Sequence, residues 1–580
     1  MRFLTLMLIL AGCPHGYPLE ERPCTSLASE ALERCIVDVS TRHGECYRTN
    51  GQSCPADDPA LVAALDAVEP YCVDGELAGL GEAAVEERLR SACASEAAGL
   101  AWRAWGGPHG VAAESADCVG PVHDIGVELL ADSMSVLRSC IKNDCAQPGL
   151  ASSRANLAAR AEESIAAACP DLPSRIAVDA ATFAERAAQQ ADCATATAFG
   201  EVDIPLSCGP SNADIGEILR GEWTEVVVDG DKWGTQCGDG SEYAFWIRPA
   251  AEGAPLDNVV VTLQGGGVCL FDVDCAAVTA LVPGLLRARD IEDYPFPVGI
   301  ASADPTVSPF TDWTMLYLPY CNQDVFAGGG VVEDLGGGLQ IPRYGAINLR
   351  AAVQMTRDWL WRELDAEGGD GYRPDNVTAL FGGFSAGSYG TLYNYHWFLD
   401  DLLWPNTVAF PDGGLAVDNG ELLGVGSLGA LKIPAWGMQN LLPAYCFEGP
   451  CSGGEVLVNA LSPRLQRPEQ NILMLSNQLD STQAGDAFFA DDASFINALR
   501  QMYCDTRDLG GVHWFLGSES STSVHVISTR DDMMTREVAG STLAAFLERA
   551  VTDPMSLQSH VEEADFVDAV PGVLPIPCEP

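Results

Sequence analysis

The chain is short of positive charge. Lysine and arginine supply 32 of its 580 residues against 81 aspartates and glutamates, a formal net charge of −49. Such a field repels phosphate backbones and anionic lipid surfaces, which argues against nucleic-acid binding. No CxxC pair occurs, and no cysteine cluster carries histidines at ligand spacing, so zinc frameworks are not expected. Beyond the first residues no apolar stretch is long enough to cross a bilayer as a helix. Long charge runs and low-complexity tracts are missing too. With 47% hydrophobic and 19% charged residues the chain should be globular, and its length exceeds what one hydrophobic core usually organises.

What is present begins with "MRFLTLMLILAGC": one arginine, an apolar run from Phe3 to Ala11, then small residues before Cys13. This is a secretion signal in outline, too short to span a membrane. The ending "LAGC" resembles the lipobox of bacterial lipoproteins. The expectation is a signal peptide over 1–12, a lipidated Cys13 heading a linker over 13–23, and attachment to the bacterial cell envelope, each buried methylene adding about 0.8 kcal/mol. The alternative is an ordinary signal peptide cleaved elsewhere. Setting Cys13 aside, the 21 cysteines leave 20, and an even number in an exported chain predicts disulfides. "CIKNDC", Cys140 to Cys145, predicts either a local bridge or two bridges to neighbouring helices.

Two textures follow. From Cys24 to about Cys208 the chain is rich in alanine and glutamate with apolar residues at helical spacing, as in "AAVEERLRSACASEAAGLAWRAW" and "SRANLAARAEESIAAACPDL". A disulfide-stapled helical domain over 24–215 is predicted. Twelve cysteines fall in it and eight lie downstream, so each part can close its bridges internally, with a boundary near 209–222. No catalytic constellation is visible in it. From about Glu222, over 216–580, β-branched runs alternate with glycine-rich loops and amphipathic segments. "NVVVTLQ", "WTMLYLPY", "VTALF", "NILMLSN" and "GVHWFL" read as strands. In "RYGAINLRAAVQMTRDWLWREL" Ile347, Ala351, Met355 and Trp359 recur every four positions, a helix ended by Gly368 and Gly369. This order predicts a doubly wound α/β sheet.

"GFSAG", Gly383 to Gly387, fits the G-x-S-x-G turn between strand and helix that lifts a serine above a sheet. Ser385 is the candidate nucleophile. Acyl transfer then needs N–H donors for the developing oxyanion, and the turn supplies only that of Ala386. "LQGGGVC" after an earlier strand can supply more, through Gly266 and Gly267; no Lys-Ser/Thr follows these glycines, which speaks against a phosphate loop. A histidine and an acid should follow the serine. His396 lies on the helix after the turn and His513 in a strand-like run, leaving His525 in a loop as the candidate, with His560 the last one downstream. Asp480 just past "NILMLSNQ" is the candidate acid; Asp412 in "FPDGG" and Asp486 compete.

These residues resemble the pectin acetylesterase and Notum family of extracellular serine carboxylesterases. "CGDGSEYAFWIRP", "LQGGGVC", "YLPYCNQDVFAGG", "GFSAGSYG", "LDSTQ" and "VHVISTR" follow the family's motifs in order, all downstream of the helical part. The resemblance implies an α/β-hydrolase-like fold with Ser385 as nucleophile, His525 as base then acid, Asp480 orienting its imidazole, and donors at Gly266, Gly267 and Ala386. It implies no metal and no cofactor. Where the family has glutamate, an aromatic, cysteine and glycine, this chain has Gln264, Val268, Phe384 and Ser388, positions expected to border the pocket. The expected reaction is hydrolysis of acetyl or other short acyl esters on a carbohydrate. A lipid or polyester esterase, and a surface binding protein that has lost turnover, are the alternatives.

Overall fold

The computed structural model describes residues 23–578, apart from 56, 69–76, 78, 106–114, 144, 146, 177–178, 290–296, 401, 403, 418–431, 433–434, 439–440, 442–453, 463–464, 466, 486–488, 520 and 563–569. The alanine-rich part folds into α1 (Cys24–Asn50), α2 (Pro59–Asp66), α3 (Glu82–Trp105), α4 (Ala116–Asn143), α5 (Gln147–Ala168), the single turn α6 (Pro173–Ile176) and α7 (Ala180–Phe199). Local chemistry sets their ends: Asp58 accepts from the N–H groups of Ala60 and Leu61 at the start of α2, Asp179 from that of Thr182 at the start of α7, and Gly51 closes α1 with φ 70°. Leu32, Ile36, Leu89, Leu100, Leu130 and Phe183 pack one core among these helices. Bridges Cys35–Cys93, Cys46–Cys54, Cys118–Cys169, Cys140–Cys145 and Cys193–Cys208 staple it. "CIKNDC" therefore closes on itself. Every described bridge stays within its own part of the chain, the others being Cys237–Cys321, Cys269–Cys275 and Cys504–Cys578.

The remainder forms a nine-stranded sheet in the order β1-β2-β4-β3-β7-β8-β9-β10-β13. Its strands are β1 (Thr224–Val227), β2 (Ala244–Arg248), β3 (Asn258–Leu263), β4 (Thr314–Leu318), β7 (Thr378–Phe384), β8 (Asn406–Asp412), β9 (Ile472–Asn477), β10 (Val512–Gly517) and β13 (His560–Val561). Two small hairpins, β5–β6 (Val331–Gly336, Leu339–Arg343) and β11–β12 (Glu537–Val538, Ser541–Thr542), stand apart from it. Helices α8 (Gly230–Trp233), α9 (Asp272–Leu281), α10 (Gly345–Glu367) and α11 (Ala386–Asp400) precede the C-terminal helices. All five predicted strands and the predicted helix, α10, are present. The sheet is of the expected α/β-hydrolase kind: β2 runs antiparallel to both β1 and β4, and the strands are parallel from β4 onward.

The parallel strands are buried on both faces, which is why they read as continuous apolar runs. Val259, Val261, Phe381, Met474 and Trp514 point into one core; Val260, Leu380, Leu473 and Phe515 alternate into the other. The first core also takes in Leu137, Leu150 and Ala196 from the helical layer. Between the layers the fully buried Arg88 of α3 pairs with Asp365 of α10 at 2.9 Å.

Candidate active site

Gly383, next to the last residue of β7, is a glycine because the turn that follows leaves no room for a side chain. A Cβ on Gly383 would lie 2.3 Å from the carbonyl oxygen of Gly387, and one on Gly387 the same distance from that of Leu263. Ser385 itself takes φ 55°, the left-handed region disfavoured for any residue with a Cβ. Its N–H donates to Asp412 O (2.9 Å) and its carbonyl accepts from Ser388 N (3.0 Å), so strand and helix clamp the strained residue from both sides.

Asp480 lies three residues past β9, fully buried. Its Oδ1 accepts from the N–H groups of Thr482 (3.0 Å) and Gln483 (3.1 Å), and its Oδ2 from Gln483 Nε2 and from His525 Nδ1, both at 2.8 Å. His525 sits in a loop tied to the Asp480 turn by Val524 N to Leu479 O (2.9 Å) and Ser481 N to Ser523 Oγ (2.8 Å). With Nδ1–H given to Asp480, Nε2 is left as the acceptor; it is buried and has no partner among the described residues. Ser385 and His525 line one cavity of about 240 Å³. Its other walls are mostly apolar, from Val268, Val325, Tyr389, Val417, Phe489 and Phe495.

Of the three predicted N–H donors, Gly267 and Ala386 line this cavity beside Ser385 and Gly266 does not. The Gly266 carbonyl instead accepts from Gln323 Nε2 at 3.4 Å. His396 lies on α11 against Leu441 O, His513 is in β10 and His560 in β13; none lines the cavity. Cys13 and Asp486 lie outside the described residues.

Residues 223–447, containing the elbow and the glycine loop at Gly266 and Gly267, match the family described as Pectinacetylesterase. Through this segment the chain is similar to the pectin acetylesterase/Notum family. Asp480 and His525 fall beyond the match, as do all helices of the N-terminal layer. A curated relative, the mouse palmitoleoyl-protein carboxylesterase NOTUM, is 25% identical over 189 residues, 32% of this chain and 34% of its own length. The chain thus spans about a third of the length of that relative. Among solved structures, the Wnt deacylase Notum from Drosophila is 19% identical with a TM-score of 0.43, covering 57% of this chain and 94% of that one.

Within the family segment two features escaped sequence reasoning. The first is Asp412, weighed above only as a rival acid. It ends β8, fully buried, and its carboxylate accepts from Ile527 N (2.9 Å), Ser528 N (2.7 Å) and Ser528 Oγ (2.5 Å), fixing the loop just after His525, where Val526 takes φ 56°. Burial pushes this carboxyl up to about 6. The second is Arg343, fully buried, which donates to the carbonyls of Asn322 (2.9 Å), Gln323 (2.8 Å) and Cys269 (3.3 Å) and pairs with Glu333 at 2.7 Å. Glu333 in turn accepts from Lys432 Nζ (2.7 Å) and Trp436 Nε1 (2.9 Å). This network anchors the glycine loop at its Cys269 end and the segment holding Gln323, Val325 and Phe326, three residues with φ between 50° and 55°. No local sequence signal announces either.

The four departures from the family pattern do not all border the cavity. Only Val268 lines it. Gln264 is buried behind, accepting from Tyr320 N (2.8 Å); Ser388 points from α11 to Gly414 O (2.8 Å); Phe384, on the alternate side of β7, packs into the opposite core. Strand alternation and helix direction turn these side chains away from the serine.

Proposed function

We propose that the protein is an extracytoplasmic serine carboxylesterase working through Ser385, His525 and Asp480. The observation that carries this reading is the chain of contacts from a buried carboxylate through His525 to a cavity that Ser385 shares. His525 Nε2 takes the proton as Ser385 Oγ attacks the ester carbonyl, and Asp480 holds the ring and balances the imidazolium. The tetrahedral oxygen receives the N–H groups of Gly267 and Ala386, with Gly266 the third candidate; each such donor contributes about 2.7–4 kcal/mol to the transition state. His525 then protonates the departing alcohol, and water, activated the same way, releases the acid from the acyl-serine. A fluorophosphonate probe should label Ser385, and Ser385→Ala should lose both labelling and ester hydrolysis. An unlabelled but folded wild type would instead favour the binding-protein reading.

The acyl group follows from the same cavity. Acetyl or another short acyl ester of a carbohydrate is the first reading; the apolar walls favour, as the second, a longer acyl chain on a lipid or polyester. Rates on acetyl, octanoyl and palmitoleoyl esters of one alcohol separate the two. The bridged cysteines support an oxidising compartment. Attachment through Cys13 predicts incorporation of an alkyne-labelled fatty acid that Cys13→Ala abolishes.

A further inference from the structure

Among the polar groups around the cavity at Ser385, the hydroxyl of Tyr389 takes no part in the hydrolysis described above. Tyr389 is the fourth residue of α11, one helical turn beyond Ser385; it is half-buried, its ring packs against the main core, and its side chain lines the same cavity. Other tyrosines buried in the sheet layer satisfy their hydroxyls within the protein. Tyr243 donates to Pro319 O (3.3 Å) and Tyr395 to Thr407 O (2.6 Å), while Tyr320 Oη accepts from Val325 N (2.7 Å) and Tyr372 Oη from Trp404 Nε1 (3.1 Å). The Tyr389 hydroxyl has no hydrogen-bond partner among the described residues, yet it is not sealed off. A phenol inside a protein ordinarily finds a partner, and the open side of this one is the cavity.

The remaining polar groups of the lining are committed. Gln483 Nε2 donates to Asp480 Oδ2 (2.8 Å) and its Oε1 accepts from Leu415 N (3.4 Å); Gly413 N donates to Leu475 O (3.1 Å); Thr482 is exposed to solvent. Ser385, His525 and the N–H groups of Gly267 and Ala386 belong to the reaction itself. The side chains of Val268, Val325, Val417, Phe489 and Phe495 carry neither donor nor acceptor. Tyr389 thus places one hydroxyl in an otherwise apolar wall. Burial, and after it the Asp480 carboxylate, hold its pKa well above the usual phenol value, so it keeps its proton and acts as a neutral donor.

We propose that Tyr389 sets the acyl specificity of the esterase by donating to an oxygen carried on an otherwise apolar acyl chain, which makes esters of hydroxy acids, polyesters included, the preferred substrates. The proposal rests on Ser385 being the nucleophile. The acyl half is the one to which a lasting contact falls, since it stays on Ser385 through both steps while the alcohol leaves after the first. An acetyl group has no such oxygen; in a polyester of hydroxy acids every acyl unit carries one. A site built to hydrogen-bond a substrate group disfavours the analogue that lacks it.

Two pairs of esters that differ by one hydroxyl test this: methyl butanoate with its β-hydroxy derivative, and methyl hexanoate with its ω-hydroxy derivative, each followed by acid release in a pH-stat. In at least one pair the wild type should favour the hydroxylated ester in kcat/KM. Tyr389→Phe keeps the ring and removes only the hydroxyl, and should lower that preference about fivefold or more, chiefly through KM. A packing role alone would leave the ratio within each pair where it was. Ratios that Tyr389→Phe leaves unaltered in both pairs would overturn the proposal, as would a ratio that shifts only when the hydroxyl is moved to the alcohol half, in hydroxybutyl butanoate. Calorimetric titration of Ser385→Ala with the same esters reads the preference without turnover. If the wild type hydrolyses none of them, a binding preference that Tyr389→Phe abolishes in this background sustains the Tyr389 contact and counts against the nucleophile alone, whereas the lack of any preference there overturns the contact as well.

Discussion

Two aspartates converge on the loop that carries His525, and their environments give them different work. Asp480 touches the imidazole; the Asp412 carboxylate touches the backbone and hydroxyl two and three residues further on. Asp480→Asn keeps the shape but removes the charge that fixes the tautomer, so kcat should fall about 10³- to 10⁴-fold with KM little changed. Asp412→Asn should lower kcat less, by about tenfold, because it loosens a position and leaves the histidine its partner. Stability should respond in the opposite sense. Burial raises the folded-state pKa of Asp412 above its unfolded value, so the fold binds this proton more tightly than the unfolded chain, and stability is lost as pH rises from about 4 through about 6. Urea unfolding at pH 4 and pH 7 should therefore show wild type losing up to about 3 kcal/mol relative to Asp412→Asn across that interval. The residue types of the site were legible in the sequence, since a serine between glycines after an apolar run is a local signal. The role of Asp412 was not, because it depends on a loop more than a hundred positions away.

At the scale of elements, the strand, turn and helix around Ser385 form a unit whose glycines are dictated by contact. Gly387→Ala would push a Cβ against the backbone of β3, which cannot give way as a flexible side chain could, and should destabilise by at least about 2 kcal/mol with activity lost in step. Gly149→Ala, in the exposed first turn of α5 with nothing within 4 Å, should instead stabilise by about 0.5 kcal/mol. Chemical denaturation of the two variants side by side checks both signs. Long buried strands and amphipathic helices were readable because burial on both faces or on one imposes a pattern on adjacent residues. Strands β1 and β13 are short edges, and β8 carries Pro411 and a terminal carboxylate, so their patterns fell below notice. The antiparallel course of β2 left no trace at all, since side-chain alternation is the same whichever way a strand runs.

For the molecule as a whole, the helical layer is joined to the sheet layer through a shared core and a buried ion pair. Arg88, 1% exposed, lies over the Trp361 ring and meets Asp365, whose Oδ1 also accepts from Tyr372 N at 2.9 Å. Asp365→Ala would leave that guanidinium buried without its counter-charge, and a loss of about 3–5 kcal/mol is expected, read as a lower thermal midpoint for both layers together. Separate melting of the layers in the wild type would contradict the shared core. The sequence alone determined the acidic field, the helical and α/β textures, the even division of cysteines and the residue types at the elbow, because each is written in neighbouring residues or in composition. Only the tertiary structure decided that His525 reaches Asp480, that Arg343 braces the glycine loop, and that Tyr389, Phe489 and Phe495 line one cavity with Ser385. Those outcomes join residues far apart in the chain, and such meetings are set by how layers pack, which no local pattern records.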